Sequence, residues 1–164
     1  MSNHIKRILY AADDGEGSRR VLAYGIDLAN RLGATLQVLR VIPNLREKSL
    51  VEIDGHVPRE NLEEFHKDRI ERTKEYIDAQ IAAFYAVRAD EMPARPISEV
   101  EVQEGDDVAE RVLAEAQANS VDLILMGSRG EGLLAGLLFG SVVQEINRKS
   151  TVPLLLVPVR RQRT

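Results

Sequence analysis

The amino-acid sequence predicts an α/β protein built on a single open, doubly wound, five-stranded parallel sheet with helices on both faces. Short apolar runs rich in aliphatic residues alternate along the chain with segments of helical period. One run, residues 121–126, is almost wholly apolar, which is typical of a strand buried on both faces. Parallel neighbours also need crossover connections, and those usually contain helices.

The five predicted strands are short and are bounded by glycine, proline or polar residues. They are residues 5–12, 35–42, 98–103, 121–126 and 152–157. Four helices lie between them, and they are predicted to begin near Ser18, Asn61, Asp107 and Ser141. Ser18 is expected to cap the first helix. Asp107 is expected to cap the third helix, because Glu110 follows it by three residues, as in a capping box.

Chain length and loop composition set the predicted domain organisation. A chain of 164 residues predicts one domain, residues 1–164. Residues 43–60 mix charges, glycine and proline without a sustained period, so they are predicted to form a variable loop.

Composition excludes several classes of function. With 22 basic and 26 acidic residues the net charge is -4, which argues against nucleic acid as a partner. The absence of cysteine excludes disulfides and thiolate chemistry. No apolar segment approaches the roughly 20 residues of a membrane helix, and the N-terminus lacks the pattern of a signal peptide. We therefore expect a cytoplasmic protein without membrane insertion.

Histidine and aromatic residues give weaker indications. His4, His56 and His66 are scattered along the chain and are expected to be surface residues, with His66 on the solvated side of the second helix. Tyr76 and Tyr85 are expected in the core or at a subunit contact, not stacked on a ligand. These residues leave the question of a metal site open.

The strongest functional signal is the glycine-rich stretch after the fourth predicted strand. Gly127 and Gly130 are followed, after nine residues, by Gly140 and Ser141 at the start of the last helix. Glycines let main-chain N–H groups approach phosphate oxygens, and a helix N-terminus adds a partial positive charge. Ser141 could also cap that helix. The pattern predicts an anion cradle, although a close-packed loop without a ligand would have the same spacing.

Two other phosphate-binding motifs are absent from this stretch. A Walker A loop ends in Gly-Lys-Ser or Gly-Lys-Thr, which the sequence lacks. The glycines also miss the G-x-G-x-x-G spacing by one residue, and they follow the fourth strand instead of the first.

The glycine pattern, preceded by Met126, resembles the nucleotide-binding motif of the ATP-binding universal stress proteins. The resemblance extends over nearly the whole chain, including the aspartate that ends the first strand and the terminal run at residues 152–158. It implies a Rossmann-like sheet of order 3-2-1-4-5. It also implies a stress-response or regulatory protein that binds ATP, or AMP or ADP, with Mg²⁺ or Mn²⁺. Family members commonly form homodimers, here through residues 152–157, and a protein partner is compatible with this role.

The resemblance further implies which residues would contact the nucleotide. The adenosine part would lie against the end of the first strand, at Ala11, Ala12 and Asp13, and against the main chain near Val41. The ribose and inner phosphate would lie against Met126, Gly127, Ser128, Arg129 and Gly130. The outer phosphates would lie against Gly140, Ser141 and Val142.

One departure from the family pattern is a second carboxylate after the first strand. Asp14 follows Asp13 where the family has no second acid, and we expect Asp14 to be a solvated turn residue. Two alternatives to a nucleotide-responsive binder stay open. One is a nucleotide-free interaction module that regulates a transporter or sensor, and the other is a slow ATPase or a protein that phosphorylates itself on a hydroxyl such as that of Ser141.

Overall fold

Strands and helices alternate in the part of the chain that the structure describes. The structure, a computed structural model, describes residues 4–15, 17–45, 61–88, 95–129 and 140–159. In order, the elements are β1 Arg7–Ala12, α1 Ser18–Leu32, β2 Thr35–Ile42, α2 Leu62–Val87, β3 Ile97–Glu104, α3 Val108–Ala118, β4 Leu123–Arg129, α4 Ser141–Lys149 and β5 Leu154–Val159. The strands pair in parallel in the order β3-β2-β1-β4-β5. The predicted fold class and strand order are confirmed.

Helices cover both faces of the sheet. Successive strand residues point to opposite faces, so Ile8 packs in the cluster beneath α1 and α2 while Leu9 packs in the cluster beneath α3 and α4. Both side chains are essentially inaccessible to solvent. Burial on both faces is the reason why the central strands β1 and β4 are almost continuously apolar.

Strands β4 and β5 both extend further than the sequence indicates. The sequence predicts that β4 ends at Met126, but residues 127–129 continue it by pairing with Val157, Pro158 and Val159 of β5. The predicted β5, residues 152–157, is correspondingly displaced to Leu154–Val159. Periodicity could not reveal this, because glycine, serine and proline are poor strand formers and only the ladder to a partner holds them extended.

Two helices begin at the predicted residues, Ser18 and Ser141, but their N-caps lie one residue earlier than predicted. Gly17, not Ser18, is the N-cap of α1, because the Gly17 carbonyl already accepts from the N–H of Val21 at 3.1 Å. Gly140, not Ser141, is the N-cap of α4, and its carbonyl accepts from the N–H of Gln144 at 3.1 Å. The predicted cap of α3 is confirmed, since Asp107 Oδ1 accepts from the N–H of Glu110 at 2.9 Å.

Candidate functional site

Strand β1 ends before both of the strands beside it. Its last pairs are Ala12 with Arg40 of β2 and Ala11 with Met126 of β4. Beyond these pairs β2 continues to Ile42 alongside β3, and β4 continues to Arg129 alongside β5. The main chains of residues 41–42 and 127–129 therefore flank the end of β1 at roughly twice the strand spacing, about 9–10 Å apart. We call the space between these two overhangs, above Asp13, the β1 notch.

The β1 notch brings together most of the residues that the sequence predicts to contact a nucleotide. Ala11, Ala12 and Asp13 form its base, and the β4 overhang contributes Gly127 and Ser128. The adjacent Met126 pairs with Ala11. Gly130 lies outside the residues that the structure describes, and Arg129 is described only by its main chain in β4.

Val41 can reach the β1 notch only through its main chain. Its side chain is buried in the cluster beneath α3 and α4. Its main chain, by contrast, lies in the β2 overhang, beyond the last pair with β1. This placement fits the predicted contact with the adenosine part, which would involve only main-chain groups of Val41.

The N-terminus of α4 lies at the same edge of the sheet, because α4 follows β4. No side chain in the described part of the chain caps it, so its first N–H groups keep the capacity to bind an anion. Gly140 is exposed, and a Cβ built on it would have no described atom within 4 Å. Ser141 is also exposed and Val142 is partly buried. The helix start is thus approachable from solvent.

The second carboxylate, Asp14, is paired with an arginine. Asp14 has a side chain that is 75% exposed, as expected of a turn residue, and it forms an ion pair with Arg40. Arg40 Nη1 also donates to the carbonyl oxygen of Ala12 at 3.2 Å. The guanidinium therefore offsets the negative charge beside the β1 notch. Arg40 was not among the residues predicted from the sequence, although it immediately precedes Val41 on β2.

A cavity of about 270 Å³ adjoins the β1 notch on the face of the sheet that α1 and α2 cover. Asp13 and Arg40 line it on the sheet side, and Thr73, Tyr76 and Gln80 line it on α2. Tyr76 is 56% exposed, so of its two predicted places only the subunit contact stays a prediction, whereas Tyr85 is buried in the core. The cavity offers both polar groups and an aromatic ring next to Asp13.

Tyr10 is the buried hydroxyl at the base of this cavity. Burial, together with the charge of Asp13, raises the pKa of Tyr10 well above its usual range. The hydroxyl is therefore neutral and donates to the carbonyl oxygen of Ser18 at 3.1 Å. This bond ties β1 to the start of α1. Asp13 Oδ1 accepts from the N–H of Gly15 at 3.1 Å and orders the same turn.

An ion cluster on α2 holds the end of β2. Glu104, at the end of β3, pairs with Arg69 and with His66, whose Nδ1 lies 2.9 Å from Glu104 Oε2. Arg69 Nη2 also donates to the carbonyl oxygen of Pro43 at 3.1 Å. The placement of His66 on a solvated side is therefore wrong, because its side chain packs against Glu104 and is only 28% exposed. No periodic pattern shows that a polar residue of α2 faces the end of a strand.

The described ranges hold neither a cluster of metal-binding side chains nor a membrane-spanning helix. They contain no group of three or more histidine, aspartate or glutamate side chains placed to hold a metal ion. Within the same ranges no helix combines the length and apolar character that crossing a membrane requires.

The chain is similar to known proteins over almost its whole length. The stress response protein NhaX of Bacillus subtilis is 26% identical over 177 aligned residues, which cover 94% of this chain and 98% of that protein. A universal stress protein solved in complex with cAMP is 18% identical, with a TM-score of 0.62 over 94% of this chain and 97% of that one. A universal stress protein from Archaeoglobus fulgidus solved with dAMP is 13% identical, with a TM-score of 0.51 over 93% and 96%.

At these identities the two solved structures establish a shared fold. The family model described as the universal stress protein family matches residues 4–158. Because this match spans most of the chain and agrees with the observed strand order, the protein belongs to the universal stress protein family.

Proposed function

We propose that this protein binds ATP in the β1 notch and acts as a nucleotide-responsive regulatory protein in a stress response. The observation that carries the proposal is the pair of overhangs on either side of β1. Main-chain N–H and C=O groups that point toward a missing strand need other partners. A purine base with its ribose supplies donors and acceptors of this kind.

The phosphates would lie toward the N-terminus of α4. Its N–H groups carry no side-chain cap from any described residue, and the helix dipole favours negative charge there. Gly140 and Ser141 are both exposed at this point. Arg40 would offset the two carboxylates at the end of β1, so a polyanion would meet less repulsion than the sequence suggests.

The nucleoside would lie against Ala12 and Asp13, where the cavity beside the β1 notch begins. Two structural neighbours solved with cAMP and with dAMP support an adenine nucleotide as the class of ligand. Mg²⁺ or Mn²⁺ would arrive with the phosphates, which commonly supply ligands to such ions. In the part of the chain that the structure describes, no cluster of side chains would hold the ion alone.

Gly140→Val is the variant that tests this proposal most directly. Gly140 has φ -63° and ψ 161°, which suits valine, and a Cβ there meets no described atom within 4 Å. The change should cost at most about 1 kcal/mol of stability, through the poorer N-cap. If phosphates approach this helix start, however, the branched side chain should weaken ATP binding about tenfold or more, the equivalent of one hydrogen bond to a charged group.

Gly33→Ala is a matched control for stability. Gly33 has φ 63°, so alanine should cost about 1 kcal/mol there through strain, at the far end of α1. Isothermal titration with ATP and Mg²⁺, combined with urea unfolding, should show two variants of similar stability of which only Gly140→Val binds ATP weakly. Failure of the wild-type protein to bind would refute the proposal and favour a nucleotide-free interaction module.

A further inference from the structure

Val159, the last residue of β5, fits between Gly17, at the start of α1, and Gly127, in the β4 overhang. A Cβ built on Gly17 would overlap Val159 Cγ1, and a Cβ built on Gly127 would lie 3.2 Å from Val159 Cγ2. Gly17 is the N-cap of α1, and Gly127 is the first residue of the β4 overhang. Val159 Cγ1 can occupy this place only because Gly17 has no side chain, and a side chain at Gly127 would pack tightly against Cγ2.

The position of Val159 is fixed by more than this contact. Its main chain pairs with Arg129 of β4, and its side chain packs against the cluster beneath α1 and α2. Val21 of α1 closes on Gly127 from the same side, since its Cγ2 would lie 3.1 Å from a Cβ built on that glycine. A β-branched residue has little freedom about its first side-chain torsion. Val159 therefore acts as a rigid spacer between the start of α1 and the β4 overhang.

We propose that Val159 is a positioning residue for nucleotide binding. It sets the distance between the β1–α1 turn and the β4 overhang, and so makes the affinity of the β1 notch depend on the end of the C-terminal strand. This inference rests on the proposed function. It also implies reciprocity: a nucleotide that fixes the overhang must favour, by the same factor, the position in which Val159 contacts Gly17 and Gly127.

The test compares the dissociation constant of ATP with Mg²⁺ for four forms of the full chain. Val159→Ala removes both methyl groups and should weaken binding roughly two- to thirtyfold, the usual range for residues that act through others. Val159→Thr keeps the branched shape and should restore binding to near the wild-type value. Leu155→Ala removes apolar volume from the same face of β5, four residues before Val159 and opposite Leu125, before the β4 overhang begins, and should leave ATP affinity unchanged.

A second comparison tests the contact without nucleotide. Gly17→Ala should lower the urea midpoint, because its Cβ would overlap Val159. Adding Val159→Ala should then raise the midpoint, although Val159→Ala alone lowers it. This reversal of sign is the signature of a direct contact.

The outcomes separate this inference from the function on which it rests. If the wild-type protein does not bind ATP, the proposed function and this inference both fall. If wild type binds and Val159→Ala binds equally well, or if Leu155→Ala weakens binding as much, the positioning role alone is refuted. Gly17→Ala with wild-type stability would overturn the spacer geometry.

Discussion

Substitution of Gly25 by alanine tests whether helix propensity or core packing has the larger effect on stability at this position of α1. Gly25 lies inside the helix, where glycine normally costs about 1 kcal/mol relative to alanine, so propensity alone predicts that Gly25→Ala stabilises the protein. The packing predicts the opposite. A Cβ on Gly25 would lie 2.7 Å from Leu125 Cδ2 and 3.4 Å from Leu36 Cδ2, and both leucines are fully buried.

The expected net effect follows from these two terms. Forcing a methyl group into a closed core costs about 1–3 kcal/mol, because neighbouring side chains must leave their preferred rotamers. Subtracting the gain of about 1 kcal/mol in helix propensity leaves a loss of about 1 kcal/mol. In a chain of this size that loss lowers the melting temperature by about 2–4 °C.

Urea unfolding of a double-mutant cycle measures this effect. Leu125→Val removes the Cδ atoms that the new methyl group would meet. In its presence Gly25→Ala should cost less, by about 1 kcal/mol, than it does alone. An increase in stability on Gly25→Ala alone would show that α1 can move away from the sheet, and the reasoning would be wrong.

Two further predictions concern the edges of the sheet. Burial, together with the nearby charge of Glu115, raises the pKa of Glu101, and Gln103 Nε2 donates to both carboxylates at 2.7 and 3.0 Å. The folded state thus binds this proton more tightly than the unfolded state, and stability falls as pH rises from the unfolded pKa through the raised one. Glu101→Gln should therefore be more stable than wild type at mildly alkaline pH and should lose this advantage in acid. Urea unfolding at both pH values checks this, and an equal effect at the two would contradict it. At the other edge, the N–H of Ile124 in β4 donates to the carbonyl of Pro153, so the main-chain groups of Pro153 and of every second residue after it face β4. The main-chain N–H of Leu156 therefore faces the open edge of β5. We expect a homodimer through β5 that Leu156→Pro dissociates, measured by light scattering; a wild-type monomer at micromolar concentration would exclude it.

The fold could be predicted because its signals are local. Each strand and helix carries its own period, and buried parallel strands must be connected by helices. The strand order itself followed from the family resemblance, since no period specifies which strand lies beside which. The ends of β4 and β5 could not be predicted, because Gly127 and Pro158 form strand only through the ladder between β4 and β5.

The site was partly predictable for a similar reason. Glycine spacing marks the approach of a main chain to a ligand, so Gly127 and Gly140 stand out in the sequence. Arg40 and Tyr76 carry no such mark, and their relevance comes from contacts across the fold with Asp14 and with the cavity. His66 was misplaced because helical periodicity identifies the apolar side of α2 but not a polar partner such as Glu104.

The alternation of strands and helices, the apolar central strands and the glycine-rich approach to α4 follow from local patterns of residues, since these features depend on neighbours along the chain. How far β2 and β4 extend beyond β1, and hence where their main-chain groups face one another, depends instead on pairing between strands in the folded protein. The contact between Val159 and Gly17 likewise joins two residues that are far apart in the chain. Such features arise from pairing and packing between distant segments, and no local pattern specifies them.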